Sequence, residues 1–211
     1  MKNIEKNIGI FNSINIDLMD EYCGVRTLAL DFMASSQLEI HKIFNDLKKC
    51  PQNPKHHPEG NAWNHTIKTL IEAGKYRKEL PRDWQHAFMW GMLLHDIGKP
   101  ATTDPETLTA YGHDKVGAKL AKEFLEEITE DKDLIDKVYG IVRGHMRARM
   151  LVKQRSGMKA WKKLQEICRL DVLAYVSMCD SDGRGFPPEG KDEVFYKITE
   201  MHNKLKDCNN G

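Results

Sequence analysis

A histidine and an aspartate stand side by side, His95-Asp96, at the end of the apolar run Ala87-Phe88-Met89-Trp90-Gly91-Met92-Leu93-Leu94. An isolated charge is expensive in apolar surroundings, so the carboxylate needs a partner there. Neutral imidazole nitrogen and carboxylate oxygen together suit a divalent cation. His65 upstream and Asp180 downstream offer the same donor types. Asp180 is preferred to Asp171 and Asp182 because it directly ends the apolar run Leu173-Ala174-Tyr175-Val176, whereas Asp182 falls in the glycine turn. Four ligands of mixed nitrogen and oxygen type leave positions open for water. That suits Mn²⁺, Fe²⁺, Co²⁺, Ni²⁺ or Mg²⁺ better than a closed structural zinc, and open positions imply catalysis. His113 and His145, between the second and third parts of the set, are candidates for a second metal site or for holding phosphate oxygens.

Helices must position these residues. Leu18, Tyr22, Val25, Leu28, Ala29 and Phe32 recur at three- and four-residue intervals, and Leu38, Ile40, Ile43, Phe44 and Leu47 repeat the pattern. Residues 50–60 hold three prolines and a glycine, which marks a loop; it also carries His56, His57 and Glu59. A helix near Ala62 to Lys75 then holds His65 on its first turns. Pro81-Arg82-Asp83 starts the helix that runs into His95-Asp96 and stops near Gly98 and Pro100. Residues 102–109 read as a polar loop. Val116, Ala118, Leu120, Ala121, Phe124, Leu125 and Ile128 mark a helix whose Gly117, Ala118 and Ala121 would admit another backbone closely. Leu134, Ile135, Val138, Ile141 and Val142 mark the helix that delivers His145. Lys159 to Cys179 reads as one long helix or a bent pair, and Asp192 to Lys206 as a last helix before a polar tail. No alternating strand pattern appears, so the class is all-α.

With 211 residues the chain can fill one core. Lys and Arg number 32 against 31 Asp and Glu, so non-specific attraction of polyanions is not expected and any nucleotide must be held locally. Five cysteines, none in a C-x-x-C pair, argue against structural disulfides and for a reducing cytoplasm. The mixed-charge N-terminus and the lack of a spanning apolar run argue against secretion and against a membrane. His56, His57 and His86 read as loop or surface residues, and Trp63 and Trp161 as core.

The set His65, His95-Asp96 and Asp180, with Leu94-His95-Asp96-Ile97-Gly98-Lys99 at its centre, resembles the HD superfamily of metal-dependent phosphohydrolases. It is most similar to the HD domain attached to bacterial tRNA nucleotidyltransferases and poly(A) polymerases. Tyr111-Gly112-His113-Asp114-Lys115-Val116-Gly117-Ala118 resembles the family's Gly-His-x-x-x-Gly-Ala segment, and Cys179-Asp180-Ser181-Asp182-Gly183-Arg184 its Ala-Asp-x-x-Gly-Arg ending. The resemblance spans about residues 50 to 190. Asn61 and Asn64 stand where the family is often acidic. Residues 1–49 are too short for a nucleotidyltransferase head, so CCA addition and polyadenylation are not expected of this chain.

The resemblance implies an HD-domain helical bundle. Residues 1–49 would form a helical extension packed on the core, residues 50–206 the phosphohydrolase domain and residues 207–211 a tail. It implies hydrolysis of 2′,3′-cyclic or monophosphate esters of a small nucleotide or an RNA terminus, with His65, His95, Asp96 and Asp180 holding the cation. Lys99, one helical turn from His95, is the favoured charge-stabilising cation, and Arg147 and Arg184 are further phosphate-binding candidates. His113 or His145 would protonate the leaving ribose oxygen. The rivals are a non-catalytic nucleotide- or RNA-binding module and a hydrolase of deoxynucleotides or alarmone nucleotides.

Overall fold

The computed structural model describes residues 38–184 and 190–210; the helix expected across residues 17–32 and the loop at Phe186–Glu189 lie outside the described residues. Among the described residues the elements are helical throughout, apart from two isolated antiparallel bridges, Pro51 with Asn61 and Thr103 with Ala110. In chain order the α-helices are α1 (Leu38–Lys49), α2 (Ala62–Tyr76), α3 (Arg82–Leu94), α4 (Lys99–Thr102), α5 (His113–Glu126), α6 (Lys132–Lys153), α7 (Met158–Gln165), α8 (Leu170–Asp182) and α9 (Glu193–Asn210). None is long and apolar enough to cross a membrane, and no disulfide joins the described cysteines.

Helix α3 is the centre. Every residue from Ala87 to Leu94 is buried, so this stretch of the helix has no solvent face, and α2, α6 and α8 pack around the helix. Helix α6 presents a stripe, Leu134, Val138, Ile141 and His145, at helical spacing, which puts His145 on the buried side with the apolar residues. Helix α9 covers α8 with Phe195, Ile198, Met201 and Leu205. Helix α1 joins the core through Phe44, whose ring lies 5.3 Å from that of Trp63 and 6.3 Å from that of Phe124. Trp63 and Trp161 are both core residues.

Several boundaries differ from those read in the sequence. Helix α3 ends at Leu94; His95 to Gly98 form a turn, and Pro100 lies in the short α4, where its missing N–H is of no consequence. The stretch after Lys159 is two helices, because Ile167 and Cys168 turn back on Leu164 while the Gln165 side chain accepts from Leu170 N. The last helix runs to Asn210, four residues past Lys206, into the expected tail.

Candidate metal centre

Five elements bring six side chains together. His65 sits on the first turn of α2, which Asn61 caps by accepting from Asn64 N at 2.8 Å. The loop before it is pinned at both ends: Gln52 N donates to Gly60 O and Ala62 N to Cys50 O, each at 3.0 Å. His95 and Asp96 follow α3, His113 opens α5, His145 faces inward from α6, and Asp180 lies in the last turn of α8. His65, His95, Asp96, His113 and His145 are all buried.

Asp96 is the hub. Its Oδ2 lies 2.7 Å from Lys99 Nζ, 3.3 Å from His95 Nε2 and 3.8 Å from His65 Nε2; its Oδ1 lies 3.5 Å from His113 Nε2. Asp180 Oδ1 lies 2.8 Å from His65 Nε2 and 4.0 Å from His95 Nε2, and Arg184 reaches its other oxygen at 3.5 Å. Lys99 is held between Asp96 and the side-chain oxygen of Gln52.

The tautomers follow from the backbone. His95 Nδ1 lies 2.7 Å from Met92 O, His113 Nδ1 2.7 Å from Ala110 O, and His145 Nδ1 2.6 Å from Val142 O. A carbonyl oxygen only accepts, so each Nδ1 carries a proton, and in the neutral ring each Nε2 turns a lone pair inward. His65 Nδ1 is oriented instead by Glu59, whose Oε1 is 2.7 Å away and also 2.8 Å from His57 Nδ1. With both rings neutral, His113 Nε2 and His145 Nε2 face each other at 3.1 Å, lone pair to lone pair, and buried His95 Nε2 has no hydrogen-bond partner. Converging nitrogen lone pairs beside two carboxylates are what a divalent cation satisfies. His65, His95 and Asp96 form one group that could hold such an ion, and Asp96, His113 and His145 a second that shares the carboxylate.

The charge states agree with that use. Burial pushes the Asp96 and Asp180 carboxyls up, but His95 and Lys99 around the first, and His65 and Arg184 around the second, hold both well below the usual carboxylate range. Glu59 is likewise opposed by burial, yet the hydrogen bonds to His57 and His65 bring it down to about 2. Burial, with His113 and His95 nearby, takes His145 down to about 3, so it is a neutral donor of lone pairs. Burial works against His65 protonation, and Asp180 and Glu59 outweigh it, making this imidazole the more basic one.

Asp180, Lys99 and Arg184 line the same 380 Å³ cleft as Asp96, His113 and His145. Asp171 does not reach it, being paired with Arg169 at 2.6 Å, and Asp182 accepts from Gly190 N at 3.4 Å instead. Arg147, expected at the phosphate, lies outside the cleft: it follows His145 by two residues, a helical rotation of about 200°, and lines an adjoining groove. Glu59 and Gln52 were missed. Glu59 stood in view in the loop beside His57, but only the folded loop shows that it orients His65.

Residues 62–180 match the HD domain family. The chain belongs to that family. Membership puts it in a superfamily of metal-dependent phosphohydrolases, for which the clustered His and Asp side chains supply a donor set. Among curated relatives, the Multifunctional CCA protein of Actinobacillus pleuropneumoniae serotype 5b (strain L20) is 27% identical over 150 residues, 67% of this chain and 35% of that protein. The Multifunctional CCA protein of Halorhodospira halophila (strain DSM 244 / SL1) is 30% identical over 153 residues, 70% of this chain and 34% of that protein. The HD chain thus spans about a third of the length of these relatives.

Glu59 carries a prediction of its own. Glu59→Gln keeps the shape but weakens the carboxylate–imidazole pair, and Mn²⁺ affinity by calorimetry is expected to fall about 10- to 100-fold. Unchanged affinity would show that Glu59 does not tune His65.

Proposed function

We propose that this HD domain is a metal-dependent phosphoesterase acting on nucleotide esters, of the 2′,3′-cyclic phosphodiesterase or nucleoside monophosphatase type. The observation that carries the proposal is the convergence of four imidazole Nε2 atoms on Asp96 and Asp180 in one buried-floored cleft. The 380 Å³ volume suits a mononucleotide. Likeness to Multifunctional CCA proteins supports a nucleotide rather than another phosphate ester.

His65, His95, Asp96 and Asp180 would hold one divalent cation, with Asp96, His113 and His145 the residues for a second. A cation there supplies Lewis acidity toward a phosphoryl oxygen and lowers the pKa of water toward neutrality. The chain's own residues do the rest. Lys99, fixed between Asp96 and Gln52, offers charge to phosphoryl oxygens that turn more negative as the ester is attacked. Arg184 at the mouth offers a second positive group. Asp96 keeps its charge against burial and so holds the histidines and Lys99 in register. With Nδ1 of His113 and of His145 donating to backbone carbonyls, both Nε2 atoms face the cleft: that of His145, kept neutral by burial, as a lone-pair donor, and that of His113 as a lone-pair donor or, when the ring is protonated, as the proton source for the leaving ribose oxygen.

Turnover of 2′,3′-cyclic AMP, 2′-AMP, 3′-AMP and 5′-AMP with added Mn²⁺, Mg²⁺, Ni²⁺ or Co²⁺ tests the proposal. Metal-dependent release on at least one ester, removed by a chelator and restored by the ion, is the expected result. No turnover by protein shown to carry metal would overturn the nucleotide assignment and favour deoxynucleotide or alarmone substrates, or a binding module.

A further inference from the structure

A second groove, of 580 Å³, adjoins the metal cleft along α5, α6 and α7, and the two share Ala110, Tyr111, His113 and Met146. Five large hydrophobic side chains are exposed among the described residues; Tyr196 is one, and the other four, Tyr111, Met146, Met150 and Ile167, all line this groove. Single exposed apolar residues need no explanation, but their concentration in one concavity does. Tyr111 is 85% exposed at the junction of groove and cleft. The rim is cationic. Arg143 is neutralised by Asp114, whereas Lys115, Arg147 and Lys163 are exposed and form no ion pair among the described residues. On a chain of net charge +1 this is a local excess, not a general one.

The combination selects its ligand. Bases stack on an aromatic or apolar floor while the phosphates between them meet lysine and arginine, the arrangement that binds single strands. A protein partner covering the floor would have to bring carboxylates to three separate rim cations, which a phosphate backbone supplies at regular spacing. A mononucleotide in the metal cleft would leave the floor bare. We infer that the groove binds single-stranded polynucleotide, receiving the nucleotides that precede an end whose phosphate ester lies at Asp96, so that the site prefers a strand end to a free nucleotide. The placement of the ester rests on the phosphoesterase reading; binding in the groove does not.

The test is fluorescence anisotropy of a labelled oligoadenylate hexamer with a 3′-phosphate, on the full chain in chelator, between about 50 and 200 mM salt. Combined Arg147→Glu and Lys163→Glu is expected to weaken binding about 10-fold or more and to lower the salt slope by about two. Tyr111→Ala is expected to weaken it about 5-fold. Lys42→Glu, in a separate cavity beside α1, should retain wild-type affinity. Equal affinity across wild type and groove variants would overturn the inference, as would hexamer binding no tighter than that of 3′-AMP. So would a change in sedimentation of the groove variants, which would assign the groove to a second copy of the chain. No turnover is needed, so a failed substrate panel and a failed binding test are separately visible.

Discussion

Asp96→Ala is expected to lower metal-dependent turnover by more than about 100-fold and to strip the bound ion on dialysis, while helical content stays near that of the wild type. Second-layer partners of a metal site typically change affinity or activity 10- to 100-fold, and Asp96 stands nearer than that: it lies within 3.8 Å of His65, His95 and Lys99 and belongs to two of the three His and carboxylate groups that could hold an ion among the described residues. The substitution has a second consequence. Lys99 Nζ, nearly buried, would keep Gln52 but lose its counter-charge, and breaking a buried pair from one side costs about 3–5 kcal/mol. Lys99→Met added to Asp96→Ala should therefore recover much of the lost melting temperature and none of the metal. Metal content by atomic emission, with melting by circular dichroism, separates the two effects. An Asp96→Ala protein that keeps its full complement of metal would remove Asp96 from the centre.

How much of this the sequence carried depends on which interactions are local. His65, His95, Asp96 and Asp180 were legible because they end or begin apolar runs, where an uncompensated polar group is out of place, and the fold does bring them together. His145 was legible as the next step of the Leu134–Val138–Ile141 stripe. What could not be read is what orients them. The carbonyls of Met92, Ala110 and Val142 that fix three tautomers belong to no residue type, and Glu59 acts across a loop whose closure depends on Cys50 and Ala62 meeting. Arg147, a phosphate-binding candidate by residue type, lines the adjoining groove and not the cleft, because neighbours two apart on a helix face different ways and it stands two residues after His145. The break between α7 and α8 was ambiguous for a related reason: apolar periodicity continues through it, and the side-chain bond from Gln165 that stops it has no period.

Gly98→Ala is expected to cost about 3 kcal/mol and to detach His113 from Asp96. A Cβ at Gly98 would lie 2.2 Å from His113 O and 2.6 Å from Gly117 N, and both are backbone atoms, so no side chain can swing aside. The residue's φ of −78° is ordinary; closeness, not conformation, demands glycine here. Gly117, one of the small residues of α5 expected to admit another backbone closely, meets this turn. Relief requires α5 to move away from the turn after α3, and α5 begins with His113, whose Nε2 is 3.5 Å from Asp96 Oδ1. The overpacking cost corresponds to a fall in melting temperature of about 6–12 °C for a chain of this size. Gly117→Ala should be milder, because its nearest contact would be 3.2 Å from Gly98 N. If two ions bind the wild type, Gly98→Ala should lose the one held by His113 and His145 first, which titration calorimetry would register as a drop in stoichiometry ahead of any loss of the ion held by His65 and His95. A Gly98→Ala protein that melts within about 2 °C of the wild type would mean that the contact between the α3 turn and α5 does not set the position of His113.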